Sequence, residues 1–468
     1  MSLLKKILHN SGAIFLCNII DALFFLLISI VLVHYFGQSD FGKISFLGVF
    51  FFLLATLDSL WLRPILIREI SKDEGSASTL LGNGFIIRAL LSLGSLILFW
   101  VTICWVGISQ EMIFMGLLVS FNMLLSPFIF SFEIVFRFSL NMLSWAKIKL
   151  AGNILTLMII GFVIFFNGNL VHFLFLSIIP SLFVLLMGRH RAGTILKPSY
   201  QMNMALWKNI FIRGWFLGLS GLFIFIYHRI DQIMLFHTEG AVATGLYAAS
   251  VRLVEWLQII PVALMSSLLP FLSFLADSAE DRFKKIYCLC FKYLLMFIIP
   301  VALMGVMFSG NIIRLFYGQD FVAAGPAFAI LIVAEIFVFL GIVNNTILIA
   351  TNKQFLDPVF TGCTVVINFL LNLLLIPKYG FMGAAVASLV AYATGPCLGL
   401  FIPLTRPYSS SMVYYAFKPL LASFFLFIFN YFFHLTFFVA MVVLPIIYFT
   451  CLYFINFFNK DDIYLIRN

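Results

Sequence analysis

The chain has 468 residues, of which 63% are hydrophobic and 10% charged, with a mean hydropathy of +1.12 and a formal charge of +9. Soluble globular chains are about 45–50% apolar and about 25% charged, so a water-soluble core is excluded and the solvent must be lipid. The composition predicts an all-α polytopic membrane protein.

A bilayer crossing needs about 20 apolar residues. About fourteen such stretches follow one another, near 12–33, 41–62, 81–107, 112–135, 148–167, 169–187, 209–236, 243–275, 286–308, 321–350, 355–376, 380–404, 412–433 and 434–458. Two of the divisions fall at Asn167–Asn169 and at Phe433–His434. The opening MSLLKKILHN is short and basic, but the apolar run behind it is longer than a signal-peptide core and has no small-residue cleavage site. It reads as the first span.

Cytoplasmic connections are enriched in Lys and Arg. With the N-terminus inside, the inner connections receive nineteen cations, Lys5, Lys6, Arg63, Arg68, Lys72, Arg137, Lys147, Lys149, Arg189, Arg191, Lys197, Lys208, Arg282, Lys284, Lys285, Lys353, Arg406, Lys460 and Arg467. The outer side receives Lys43, Arg314 and Lys378. This asymmetry predicts both termini inside, and it makes the positive charge topogenic rather than a nucleic-acid footprint.

The longest inner connection, GRHRAGTILKPSYQMNMALWK (188–208), divides the first twelve spans into two sets of six. The expected organisation is an N-terminal six-helix lobe (1–207), a C-terminal six-helix lobe (208–405) and an additional helix pair (406–468). Outer connections are short and leave no room for a catalytic extracytoplasmic domain. The seven cysteines all fall within spans. The spacing of Cys288 and Cys290 suits neither a zinc site nor a disulfide.

Two glycine pairs are spaced alike, Gly37/Gly42 in HYFGQSDFGKISF and Gly240/Gly245 in FHTEGAVATGLYAAS, with shorter versions at YGQDF (317–321) and YGFMG (379–383). Tight hairpin turns in general, or a duplication of the two lobes, would each produce this pattern. GQSDFGKIS comes close to a phosphate-cradling loop, but it carries Ile44 where that loop needs a Ser or Thr hydroxyl. It also follows a span rather than a strand. GWFLG (214–218) reads as close helix packing through small residues.

Six cations, Arg88, Arg213, Arg229, Arg252, Lys292 and Lys418, and six anions, Asp21, Asp58, Glu133, Asp231, Glu255 and Glu335, lie within the spans. Each costs on the order of 2.5–3.5 kcal/mol at a bilayer centre, so most must face protein or a wet cavity. Arg213, Lys292 and Lys418, nearer span ends, can snorkel to the interface. Counting rise along the helices from the turn at Glu239–Gly240, Arg229, Asp231, Arg252 and Glu255 occupy one band of depth, roughly 12–24 Å below it. The band is either an ion-paired network or the lining of a polar cavity. Pro261 and Pro127 interrupt spans near Arg252 and Glu133, as helices bordering a cavity often do.

The segments IDQIMLF…GLYAASVRLVEWLQIIPVALMSSLLPFLS (230–273), FGKISF…REISKD (41–73) and NLLLIPKYGFMGAAVAS (372–388) resemble the Wzx-type polysaccharide flippases. These belong to the multidrug/oligosaccharidyl-lipid/polysaccharide exporter superfamily. The resemblance implies two six-helix lobes around a central cavity open alternately to each side. It also implies transfer of O-antigen repeat units on undecaprenyl diphosphate from the inner to the outer leaflet of a bacterial inner membrane. Polysaccharide polymerase and chain-length proteins are the partners it suggests. Cavity arginines would receive the diphosphate, at Arg229 and Arg252 and also at Arg88 and Arg213. Asp231, Glu255, Asp58 and Glu133 are the candidates for ion coupling. No cofactor, metal or catalytic residue is expected. A cation-coupled multidrug antiporter shares the expected fold, and an envelope polymerase is the rival from among enzymes.

Overall fold

The structure, a computed structural model, describes residues 3–72, 74–106, 109–403 and 405–457, and every regular element among them is helical. In chain order these are α1 (Leu3–Leu57), a π-turn (Asp58–Leu62), α2 (Arg63–Lys72), α3 (Ala77–Val106), α4 (Gln110–Phe138), α5 (Met142–Phe165), α6 (Leu170–Leu176), α7 (Ile178–Ala192) and α8 (Met204–Thr238). There follow α9 (Gly240–Glu255), α10 (Ile259–Ser278), α11 (Glu280–Met307), α12 (Ser309–Tyr317), α13 (Gly325–Ala350), α14 (Asp357–Phe401), α15 (Arg406–Phe433) and α16 (Phe437–Phe454). The chain divides into two compact units, residues 1–248 and 249–468. The terminal cations Lys460 and Arg467, counted above for orientation, lie outside the described residues.

Helix ends are fixed by ordinary capping chemistry. The side chains of Ser109 and Asn203 accept from Met112 N and Leu206 N, and Asn169 forms a capping box with His172. Left-handed residues end the preceding helices at Asn167 (φ 52°) and His434 (φ 44°), the two divisions expected from sequence.

Twelve helical segments among the described residues are long and apolar enough to cross a membrane. The two longest are also broken part-way. Ile19–Leu57 and Gln354–Phe401, of 39 and 48 residues, would measure about 58 and 72 Å if straight, against a hydrocarbon core of about 30 Å. Each is broken by a glycine with non-helical torsions, Gly37 (φ 72°, ψ −172°) and Gly380 (φ 54°, ψ −137°). In α14 the chain folds back so closely that a Cβ on Gly383 would overlap the Leu375 carbonyl and stand 3.0 Å from Ile376 N. Divided at these glycines, the twelve segments give fourteen helical stretches, which correspond to the fourteen apolar stretches read from the sequence.

In the first unit, the half of α1 after Gly37 runs antiparallel to α8. Phe46 stacks on Phe236 at one end (ring centroids 4.2 Å), and Trp61 lies over Gly214 and Gly218 at the other. A Cβ on Gly214 would overlap Ile65, and one on Gly218 would come within 3.3 Å of the Trp61 ring. GWFLG is thus a seat for a tryptophan, and this packing joins α8 to the first unit. The connection after α7 is tied down as well. Asn83 on α3 donates to Gln201 O (2.9 Å) and accepts from Asn203 N (3.0 Å) and Trp207 Nε1 (2.7 Å), while Ser199 N donates to Ser78 O (2.9 Å). In the second unit the apolar core is built by α10, α11, α13 and α15, around residues such as Tyr287, Phe291, Ile298 and Phe339.

The four glycine turns singled out in the sequence hold the four positive-φ glycines among the described residues: Gly37, Gly240, Gly318 and Gly380. Only glycine enters that region without steric penalty. The companion glycines serve a different need. A Cβ on Gly42 would overlap Ala241 O and stand 2.9 Å from Gly245 N, and one on Gly245 would overlap Gln38 O and stand 3.1 Å from Gly42 N. The contact is reciprocal, each second glycine meeting the residue after the other motif's first glycine. This is the pattern that a local two-fold between repeated units produces.

Gly42→Ala and Gly245→Ala should each push these turns apart at a cost of about 1–3 kcal/mol, the usual range for overpacking. Gly48→Ala and Gly94→Ala, whose added methyl groups meet nothing within 4 Å, should be tolerated. Thermal unfolding of the purified variants in one detergent measures the difference, and equal midpoints for all four would refute the interlock.

Candidate functional site

Three arginines and two acids meet in the first unit. Asp58 opens the π-turn, in which Arg63 N donates to Asp58 O across five residues. That wider turn brings side chains five apart onto one side, so the Arg63 guanidinium reaches Asp58 Oδ2 at 2.6 Å. Arg88 Nε donates to Asp58 Oδ1 at 2.6 Å, and Arg88 Nη1 lies 3.4 Å from Ser131 Oγ. Arg63 also bonds Glu133 at 2.9 Å, and Glu133 is met by Arg137, one turn along α4, at 2.8 Å. Asp58 and Arg88 are each only 2% exposed, so neither is solvated by water. A second pair, Lys149 with Asp21, ties α5 to α1, and Asn153 Nδ2 adds a bond of 3.2 Å to the same carboxylate.

Nearby, Pro127 removes an N–H from α4 and leaves the Met123 carbonyl without its helical donor. Two hydroxyls replace it, Ser92 Oγ at 2.9 Å and Ser126 Oγ at 2.8 Å. The helix continues unbroken to Phe138. Pro261 acts differently. It stands at the third position of α10, directly after a 3₁₀ turn over Trp256–Gln258, which interrupts the span where the sequence suggests.

Arg229 is 5% exposed on α8, with its guanidinium carbon 4.1 Å from the centre of the Phe52 ring. Asp231, 1% exposed, accepts from the Tyr247 hydroxyl and from Gln232 N at 2.7 Å. Residues two apart on a helix do not face each other: the Phe52 ring lies against Arg229 and the Tyr247 hydroxyl against Asp231. In the second unit, Arg252 and Glu255 occupy the last turn of α9 and are half-buried. Gln258 Nε2 donates to Glu335 Oε1 at 2.9 Å, and Glu335 is 1% exposed with its Oε2 unpartnered.

Arg88, Asp58 and Glu133 share one network. Arg229 and Asp231 lie on α8, and Arg252 and Glu255 on α9. The side chain of Arg213 lies outside the described residues. Lys292 stands twelve residues into α11 and is 5% exposed, with its ammonium 4.7 Å from the centre of the Phe457 ring. Lys418 reaches the same place just after α16, donating to Asn456 O at 2.9 Å. Arg63 and Arg137, counted in the sequence as loop charges, are members of the buried network. The legible signal was their distance from acids, five residues from Asp58 to Arg63 and four from Glu133 to Arg137. Among the described residues no group of three His, Cys, Asp or Glu is arranged to hold a metal, and the seven cysteines are unpaired.

A family profile described as "polysaccharide biosynthesis protein" matches residues 7–276. The chain belongs to that family. Among curated relatives, a Shigella flexneri protein named as an O-antigen transporter is 22% identical over 38% of this chain and 43% of its own length. A Haloferax volcanii protein named as a low-salt glycan biosynthesis flippase is 24% identical over 51% of this chain and 50% of its own. The matches thus span half or less of each of these relatives. Among solved structures, the lipid II flippase MurJ in an inward closed conformation superposes with a TM-score of 0.72 at 15% identity, covering 95% of this chain and 98% of that one. An inward-facing multidrug transporter of the MATE family superposes with a TM-score of 0.65 at 14% identity, covering 86% and 98%. This member of the polysaccharide biosynthesis family therefore has the all-helical, multi-pass membrane fold shared by MurJ and the MATE transporters.

The two buried acids give opposite expectations. Asp58→Ala strands Arg88, leaves Arg63 with Glu133 alone, and should destabilise the protein by about 3–5 kcal/mol, as removal of one partner from a buried pair does. Glu335→Gln replaces a carboxyl that no cation contacts with an isosteric neutral amide, and should leave the unfolding midpoint unchanged. Both are read from thermal unfolding in detergent. A well-behaved Asp58→Ala protein would show that the network contributes little.

Proposed function

We propose that this protein is a flippase. It carries undecaprenyl-diphosphate-linked O-antigen or related polysaccharide repeat units from the inner to the outer leaflet of a bacterial inner membrane, by alternating access and with both termini cytoplasmic. The observation that carries the reading is the meeting of a polysaccharide biosynthesis family with the fold of a lipid II flippase over nearly the whole chain. The names of the Shigella and Haloferax relatives point the same way.

Such a substrate has a diphosphate and sugars that hydrocarbon repels, and a polyprenyl tail that it attracts. Arginine suits the headgroup, because its planar fork donates two parallel hydrogen bonds to phosphate. Arg229 and Arg252 are the proposed receivers. Arg88 has a different role in this reading, since its guanidinium is already committed to Asp58 and Ser131. With the inside negative, each uncompensated negative charge leaving the cell gains about 2.3 kcal/mol per 100 mV, so the membrane potential favours export. Asp231 and Glu255 are the acids proposed for any ion coupling. Polysaccharide polymerase and chain-length proteins are the proposed neighbours on the outer side. The MATE-like fold supports a second reading, cation-coupled drug efflux.

The test is transfer of an undecaprenyl-diphosphate-linked oligosaccharide across proteoliposomes containing the purified chain, against protein-free vesicles. Headgroups should reach the opposite leaflet only with protein present. Arg229→Ala and Arg252→Ala should abolish transfer while inserting at normal levels. No transfer of any lipid-linked headgroup by folded protein, together with extrusion of cationic drugs, would overturn the flippase in favour of the antiporter.

A further inference from the structure

The first unit holds a cavity of about 410 Å³ between α3, α4, the end of α7 and the connection that follows it. Its volume falls in the range of small-molecule sites, about 300–1,000 Å³. Leu81 lies near the start of α3 and Arg189 in the last turn of α7, so one end of the cavity is at the level where these helices leave the membrane. Phe128 stands ten residues before the end of α4, about 15 Å deeper by helical rise. The cavity therefore runs from the interface into the hydrocarbon.

Its two ends differ in chemistry. Arg189 and Lys197 stand at the interfacial end, both exposed, and no carboxylate lines the cavity. The deep end is aromatic, with the rings of Phe85 and Phe128 4.6 Å apart and Tyr200 packed edge-on to Phe85 at 5.5 Å. The connection carrying Lys197 and Tyr200 is held over the cavity by the bonds from Asn83 and Ser78, and Gly82 has no Cβ to keep Ser199 away. A cationic mouth at headgroup level above an aromatic shaft is complementary to a phosphate carried on an acyl chain.

We propose that this cavity is a binding site for an anionic phospholipid of the leaflet facing the 193–203 connection. Arg189 and Lys197 take the phosphate, and the shaft lined by Phe85 and Phe128 takes the start of a chain. Neither Arg229 nor Arg252 lines the site, and it stands whether or not the flippase reading does.

Native mass spectrometry of the full chain, extracted from vesicles of equal phosphatidylglycerol and phosphatidylcholine with matched chains, tests the site. One phosphatidylglycerol should be retained in preference to phosphatidylcholine. The Arg189→Gln/Lys197→Gln protein should retain about 25-fold less, two basic groups each contributing about a factor of five near an anionic headgroup. The Lys284→Gln/Lys285→Gln protein, which loses two exposed cations elsewhere, should match the parent. Equal losses in both variants would reduce the effect to diffuse surface charge, and unchanged retention in the first would exclude the cavity. Polyprenyl phosphate displacing phosphatidylglycerol at equal mole fraction would overturn the assignment by making the substrate class the occupant.

Discussion

Hydrocarbon offers no water to a charge or to an unpaired peptide group, and this chain's internal arrangement answers that one constraint. A free charge at the bilayer centre costs a few kcal/mol, and an open peptide group costs several. Asp58 is accordingly shared by two arginines, Glu133 by two, and Asp21 is held by Lys149 and Asn153. The same rule governs the backbone. Where Pro127 deprives a carbonyl of its donor, two serine hydroxyls supply one. At several helix ends, as at Ser109, Asn169, Asn203 and His434, a side chain or a left-handed residue meets an open group.

The glycines show how the constraint reaches packing. A chain that cannot leave polar backbone in lipid must reverse direction in very few residues, and positive φ at Gly37, Gly240, Gly318 and Gly380 provides the reversal. Once helix ends turn that sharply, neighbouring turns approach until backbone meets backbone. Gly42 and Gly245 are the result, positions defined by the absence of a side chain. Trp61 over Gly214 and Gly218 is the same solution with a large ring in place of a second backbone.

Much of this was legible in the sequence. The fourteen helical stretches, the breaks at Asn167 and His434, the four glycine turns and the small-residue seat at GWFLG all follow from local chemistry, and local chemistry is what residue patterns record. The charge network was legible only in part. Arg63 and Arg137 read as topogenic because hydropathy assigns residues to spans or connections, whereas a guanidinium on a long side chain reaches back into the span it flanks. The π-turn that aims Arg63 at Asp58 leaves no mark in composition. The partners of Arg229 and Asp231 were hidden for a related reason. Phe52 and Tyr247 are two of many aromatics, and only the register of α8 against its neighbours selects them.

These different settings divide the arginines by what each can give up. Arg88 sits at 2.6 Å from Asp58 with both groups almost fully buried. An incoming diphosphate that captured it would break a buried pair, a loss on the order of 3–5 kcal/mol, and leave Asp58 to Arg63 alone. Arg229 rests on the face of Phe52, a contact worth about 0.5–2 kcal/mol, while Asp231 is bonded to Tyr247. A transporter needs binding weak enough to undo at the far side. The Arg88 network therefore suits a rigid brace within the first unit.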